Sequence, residues 1–176
     1  MIQADNMILL GAAARNTGKT VLAVRLIEQY SRQQSVVAIK VITIHNHGDV
    51  CPRGGKGCGI CSGLKTCFDI TKERADGVKD TMLFKKAGAR AVYLVRAYPE
   101  SLGDAMKAVL ALTEETDQII CESNSVRTVV NPGEFVMLRG DTKEMKASAR
   151  AVIGRADRIL NHYLEYFDGQ LIKNSQ

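Results

Sequence analysis

Apolar residues recur along this chain in two alternating patterns. Short runs at Met7 to Ala12, Ser35 to Ile44, Arg90 to Val95, Ile119 to Glu122 and Glu134 to Leu138 have the length and content of buried strands. Between them lie stretches with helical spacing. Gly18 to Gln33 places Val21, Leu22, Leu26, Ile27 and Tyr30 on one face. Glu73 to Ala87 returns to that period through Val78, Met82 and Leu83, with Gly88 placed as a C-cap. A third stripe, Leu102, Ala105, Met106, Val109 and Leu110, follows Ser101, whose Ser-x-x-Asp reads as a capping-box variant. Lys143 to Arg155 reads as a further helix, and the tail after Asp157 is ambiguous. Strands alternating with helices predict an α/β fold, a mainly parallel sheet covered on both faces. At 176 residues the length fits a single domain. Residues 45–68 break the pattern. They are rich in Gly, Cys and Lys and read as a loop inserted into that domain.

Charge and composition sharpen the picture. The net charge of +5 suits phosphorylated ligands. Tryptophan is absent and aromatics are 5% of the chain, so a base-stacking nucleic-acid surface is not expected. No run approaches the roughly 18 apolar residues of a membrane span. Met1 to Asn6 is polar and carries Asp5, unlike a signal peptide. A cytoplasmic protein without a membrane segment is the expectation.

The stretch GAAARNTGKT, residues 11–20, carries the sharpest chemical signal. It follows an apolar strand and opens a helix, the order a phosphate-binding P-loop requires. Backbone N–H groups of Ala14, Arg15, Asn16, Thr17 and Gly18 would cradle phosphates. Lys19 would reach the β- and γ-phosphates, and Thr20 would bind Mg²⁺. The residue five before Gly18 is Ala13 rather than glycine. Alanine fits there if the backbone keeps φ negative. Gly11, just upstream, is placed to relieve the turn out of the strand. A Mg²⁺ site also needs an acid at the end of an apolar strand, and DQIICES supplies Glu122.

The insertion contains CPRGGKGCGICSGLKTC. Cys51, Cys58, Cys61 and Cys67 are spaced C-x6-C-x2-C-x5-C, and four thiolates suit a tetrahedral Zn²⁺ or an iron–sulfur cluster. His45 and His47 lie just upstream as substitute ligands, and free or redox thiols are the remaining alternative. Cys121, inside a strand, reads as a core residue.

Three stretches in order resemble the molybdopterin-guanine dinucleotide biosynthesis protein B (MobB) family. They are the P-loop, VVAIKVITIHNHGD, and KDTMLFKKAGARAVYLV, followed by an apolar strand ending in Glu122. The resemblance spans about residues 7 to 125. It implies a P-loop NTPase fold and a usually dimeric adaptor that binds GTP, hydrolyses it slowly and assists attachment of GMP to molybdopterin. Carried over, Lys19 and Thr20 become phosphate and Mg²⁺ groups, and Lys40, Asp80 and Glu122 become site residues. Asp80 and Asp49 are candidates to orient water. Two features depart from the family pattern: the cysteine insertion, and Ser123-Asn124-Ser125 where the family has glycine and an aromatic. No Asn-Lys-x-Asp motif is present, so GTP and ATP both stay open. Two rivals are a small-molecule kinase on the same fold and a metal-binding regulatory module with a degenerate P-loop. A metalloenzyme client or cofactor-biosynthesis partner is the expected protein contact.

Overall fold

The strand that leads to the P-loop sequence is longer than its apolar run. In the computed structural model, which describes residues 1–44, 64, 66–73, 80–141 and 144–171, β1 covers Ile2–Ala12. Its first residues are polar in sequence but pair with a neighbouring strand, and an irregularity between Ala4 and Ile8 separates the two paired stretches.

The remaining elements follow in order. Helix α1 spans Lys19–Tyr30, β2 Val36–Thr43, β3 Phe68–Lys72, α2 Asp80–Lys86 and β4 Ala91–Ala97. Then come α3 (Leu102–Leu110), β5 (Gln118–Glu122), β6 (Val130–Leu138), α4 (Ala147–Arg150), β7 (Arg158–Leu160) and α5 (Glu165–Leu171). The seven strands form one sheet in the order β3-β4-β2-β5-β1-β6-β7. All pairings are parallel except β3 with β4. The expected mainly parallel α/β sheet is therefore present. No helix among the described residues is long and apolar enough to cross a membrane.

Alternation along the strands splits the core into two layers. Met7, Leu9, Val37, Ile39, Ile119 and Cys121 face α3, packing on Leu102, Ala105, Met106 and Val109. Ile8, Leu10, Ala12, Ala38 and Ile120 face the other way, onto Leu22, Ala23, Leu26 and Ile27 of α1, Phe84 of α2 and Tyr166 of α5. Cys121 is fully buried, as the sequence suggested, and burial pushes its thiol well above the usual range.

Several readings need correction. Val21 and Leu83 are not core residues: both are more than 40% exposed, and Ala23 and Phe84 take the buried positions. Ser101 caps nothing with its side chain, because a 3-10 turn over Pro99–Ser101 already leads the chain into α3. The helix read over 143–155 contracts to the four residues of α4 and a 3-10 turn at Ile153–Arg155. The edge strand β3 was hidden at the end of the cysteine loop. Gly88, by contrast, ends α2 as expected. Its φ is 108°, its N–H reaches the Lys85 carbonyl and the Ala89 N–H reaches Phe84, the two bonds of a Schellman cap.

At the amino edge of the sheet, a buried carboxylate ties three segments together. Asp117 is 1% exposed. It accepts hydrogen bonds from Arg90 at 2.6 Å, from the Ser35 hydroxyl, and from the Glu114 N–H at 2.8 Å. Burial pushes its carboxyl up, but the bonds from Arg90 and Ser35, then the Glu114 amide, outweigh burial and hold it below the ordinary value. A depressed carboxyl stabilises the fold above the unfolded-state value near 3.9 and loses that contribution as pH falls through the folded value. Asp117→Asn is expected to cost about 2 kcal/mol at pH 7, since it weakens the charge-assisted bonds that the buried carboxylate accepts from Arg90 and the Glu114 amide. The loss should shrink at acid pH. Urea unfolding of both proteins at pH 7 and pH 3 measures it; an equal difference at both values would contradict the linkage.

Candidate functional site at the carboxyl edge of the sheet

All six parallel strands end on one edge, where connecting loops gather and ligand crevices form in open α/β sheets. Chain order alone would set β2 beside β1, but β5 lies between them. This insertion brings the end of β5 to the centre of the edge. Glu122 is registered with Leu10 of β1 on one side and Lys40 of β2 on the other.

Residues 13–18 carry the chain from β1 to α1. Ala13 prolongs the strand. Its N–H donates to the Leu138 carbonyl at 2.8 Å, its own carbonyl accepts the Lys146 N–H at 2.9 Å, and its side chain is buried. Its φ is not positive, so alanine is accommodated as expected. The left-handed positions fall instead on Asn16, with φ 59°, and Gly18, with φ 86°. Glycine is needed at the second for space as well, because a Cβ there would lie 2.9 Å from the Tyr163 ring.

Gly11 does not relieve a turn; it lies inside β1. What it supplies is room. A Cβ would meet Met137, the Asn124 amide oxygen and Phe135 at 2.9 to 3.0 Å. Asn124 passes through that room to grip the end of β1. Its Oδ1 accepts from the Ala12 N–H at 2.8 Å, and its Nδ2 donates to the Ala12 carbonyl at 3.0 Å and to Ser148 Oγ at 3.1 Å. One side chain thus joins β1, β5 and α4. Asn124→Asp removes the donor and sets a carboxylate against the Ala12 carbonyl. We expect a loss of about 2 kcal/mol in unfolding free energy. Wild-type stability in urea would contradict this role.

Helix α1 begins uncapped. Its first internal bond runs from the Leu22 N–H to the Gly18 carbonyl at 2.9 Å. The N–H groups of Lys19, Thr20 and Val21 precede that bond and have no acceptor within the helix. No side chain caps the helix and no acid lies in its first turn. The positive end of the helix dipole therefore faces the edge unneutralised.

Above it lies a cleft of about 1160 Å³, bounded by residues 14–21, 40–42, Glu122 and 144–146. All seven residues read as nucleotide-binding, 14 to 20, line it, together with Lys40 and Glu122. Lys40 and Glu122 lie on the α1 face of the sheet, beneath the start of the helix. Glu122 is 6% exposed, and its Oε1 stands 3.4 Å from Lys19 Nζ and 3.7 Å from Lys40 Nζ. Its Oε2 is buried without a hydrogen-bond partner among the described residues. Around the cleft, Arg15, Lys19, Lys40 and Lys146 outnumber Glu122 and Glu144. The arrangement favours an anionic ligand and offers one carboxylate oxygen to a cation.

The sequence missed the wall at 144–146 because the segment is extended just before α4, where a helix was expected. It also missed a second hollow, about 440 Å³, on the other side of loop 14–18. Asp80 opens α2. Asp49, His45, His47, Cys51, Cys58 and Cys61 lie outside the described residues. Cys67 is exposed just before β3, its carbonyl accepting the Tyr98 N–H at 3.2 Å, so it sits at the carboxyl end of β4. Among the described residues no cluster of three or more His, Cys, Asp or Glu is arranged to hold a metal. Comparison with family models, with curated proteins and with solved structures finds no match to this chain.

Proposed function

We propose that the cleft binds a nucleoside triphosphate with Mg²⁺ on a P-loop formed by residues 13–20, and that the chain hydrolyses it slowly as an accessory protein of MobB-like type. The observation that carries this reading is the pairing of an uncapped helix start, preceded by Gly18 in the left-handed conformation, with a buried carboxylate flanked by two lysines. Triphosphate oxygens would take the amides of residues 14–20 and the ammonium of Lys19, with Lys40 as a second cation. Mg²⁺ fits the donor set. Glu122 offers a hard oxygen that has no internal partner among the described residues, and Thr20 supplies a hydroxyl on the same cleft. When bound, the ion would neutralise charge on the phosphates. Lys19 and Lys40 would hold the phosphates, and Glu122 and Thr20 would hold the ion.

In this reading, the nucleotide supports maturation of a molybdenum cofactor or another metallocofactor, with a homodimer and a client enzyme as partners. A small-molecule kinase on the same site is the second reading. It is favoured by the width of the cleft beyond the loop, where 40–42 and 144–146 leave space for an acceptor. Incubation with labelled ATP and a metabolite pool separates the two: a labelled product supports the kinase, and release of phosphate alone supports the NTPase.

The cysteine insertion is proposed to hold Zn²⁺ or an iron–sulfur cluster through Cys51, Cys58, Cys61 and Cys67. The loop leaves β2 after Thr43 and returns at Cys67 beside β4, both on the carboxyl edge. Protein purified without oxygen is expected to carry zinc or iron, and a Cys58→Ser/Cys61→Ser variant to carry far less. Equal, near-zero metal in both would reject the centre.

A further inference from the structure

The segment that follows β7 packs on the residue from which α1 starts. The contact is made by Tyr163: a Cβ built on Gly18 would lie 2.9 Å from Tyr163 Cδ1 and 3.7 Å from its Cβ and Cγ. Gly18 holds the left-handed turn, φ 86°, immediately before the uncapped N–H groups of the helix. Tyr163 is itself held from several sides. Its carbonyl accepts the Tyr166 N–H at 3.3 Å, and the His162 ring lies against its own ring with centroids 4.3 Å apart. Glu165 folds the turn by accepting the N–H groups of Asn161 and His162 at 3.0 and 3.1 Å. Tyr166 then anchors α5 to the sheet. It is buried, and its hydroxyl donates to Glu134 of β6 at 2.7 Å. The Arg158 guanidinium sits 4.3 Å from the centre of the Tyr166 ring and donates to the Glu165 and Tyr166 carbonyls at 3.3 and 3.2 Å. A continuous set of contacts therefore runs from β6 and β7 through α5 to Gly18.

We propose that Tyr163 is a positioning residue for the phosphate loop, its ring confining Gly18 to the left-handed turn. The proposal rests on the reading of residues 13–20 as a phosphate site. A glycine left to itself samples left-handed and right-handed backbone about equally, so ordering it on binding would cost affinity. A ring packed on its Cα removes that freedom before a phosphate arrives, which is preorganisation. The atoms of Tyr163 nearest Gly18 are Cδ1, Cβ and Cγ, so the apolar ring carries the effect and the hydroxyl does not. Tyr163 acts through Gly18 and not by touching the ligand. The loop after β6 adds a second contact in the same sense: Gly140, at φ 64°, leaves only enough room for the Thr17 methyl, 3.1 Å from where a Cβ would stand.

Equilibrium titration of the full chain with inorganic tripolyphosphate and Mg²⁺ tests this, since that probe has no base or sugar for a ring to touch. Tyr163→Ala should weaken binding at least about tenfold, and Tyr163→Phe should stay within about twofold of wild type. Nucleotide hydrolysis separates loop ordering from general damage. In Tyr163→Ala the KM should rise with the loss of affinity while kcat stays within about twofold, because bound phosphates restore the loop and Lys19, Lys40 and Glu122 are intact. If Tyr163→Ala does not fold, Tyr163→Leu, which keeps apolar bulk without a flat ring, is read by the same measurements. Equal tripolyphosphate binding by wild type and the Ala or Leu variant overturns the positioning role while the phosphate loop stands. So does weakening by Tyr163→Phe as large as by Tyr163→Ala, or a kcat that falls in step with affinity. Failure of the wild type to bind tripolyphosphate overturns both readings.

Discussion

Lys19→Ala is expected to weaken triphosphate binding at least roughly a hundredfold, about 2.7 kcal/mol, while the protein stays folded. The side chain is not part of either core layer. It extends from the first residue of α1 into the cleft and is partly exposed. Its ammonium stands 3.4 Å from Glu122, so it occupies the position where a phosphate would meet a charge-assisted donor. Removing it takes one of two cations from the buried carboxylate, and Lys40 at 3.7 Å keeps the other in place. The cost in stability should therefore be about 1 kcal/mol, far less than the cost in binding. Arg25→Ala is the control. Arg25 lies on the same helix, highly exposed and paired only weakly with Glu28 at 4.0 Å, and should bind as wild type. Calorimetric titration with GTP and ATP reads both variants.

Glu122→Gln should separate binding from turnover. Its neutral amide keeps the size of the side chain but offers Mg²⁺ a much poorer ligand. Hydrolysis should fall about a hundredfold at saturating Mg²⁺. Binding measured without Mg²⁺ should move the other way and tighten severalfold. In the unliganded protein Glu122 competes with phosphate for Lys19 and Lys40, and the variant removes that competitor. Phosphate release assays and metal-free titrations read the two effects. Unchanged hydrolysis would move the metal to another acid, with Asp80 the next candidate.

Much of this edge was legible in the sequence because it depends on local order. Apolar runs marked five of the six strands that build the parallel sheet; the exception is β7, whose three residues are too short to show a period. The motif GKT and the acid closing β5 were each readable alone, and Lys40 of β2 entered through the family resemblance. That they meet was not readable, because it depends on β5 entering between β2 and β1. Periodicity records which face of a strand is buried, not which strand lies beside it. Asn124 shows the same limit. In sequence, Ser123-Asn124-Ser125 is only a departure from a family pattern. In the fold, Asn124 saturates the backbone of Ala12 and accounts for Gly11, more than a hundred residues away. The wall at 144–146 and the hollow near 161–163 were hidden for a related reason. Their residues act through loop position at the sheet edge, and loops leave no period to read.

The central claim is that loop 13–20 is a phosphate site, and titration of the wild-type chain with inorganic tripolyphosphate tests it most directly. This ligand has no base or sugar, so binding reports the loop and its lysines alone. Saturable binding with Mg²⁺, weakened at least roughly a hundredfold by Lys19→Ala and unaffected by Arg25→Ala, is the expected result. No saturable binding by the wild type, or equal binding by wild type and Lys19→Ala, would contradict the claim.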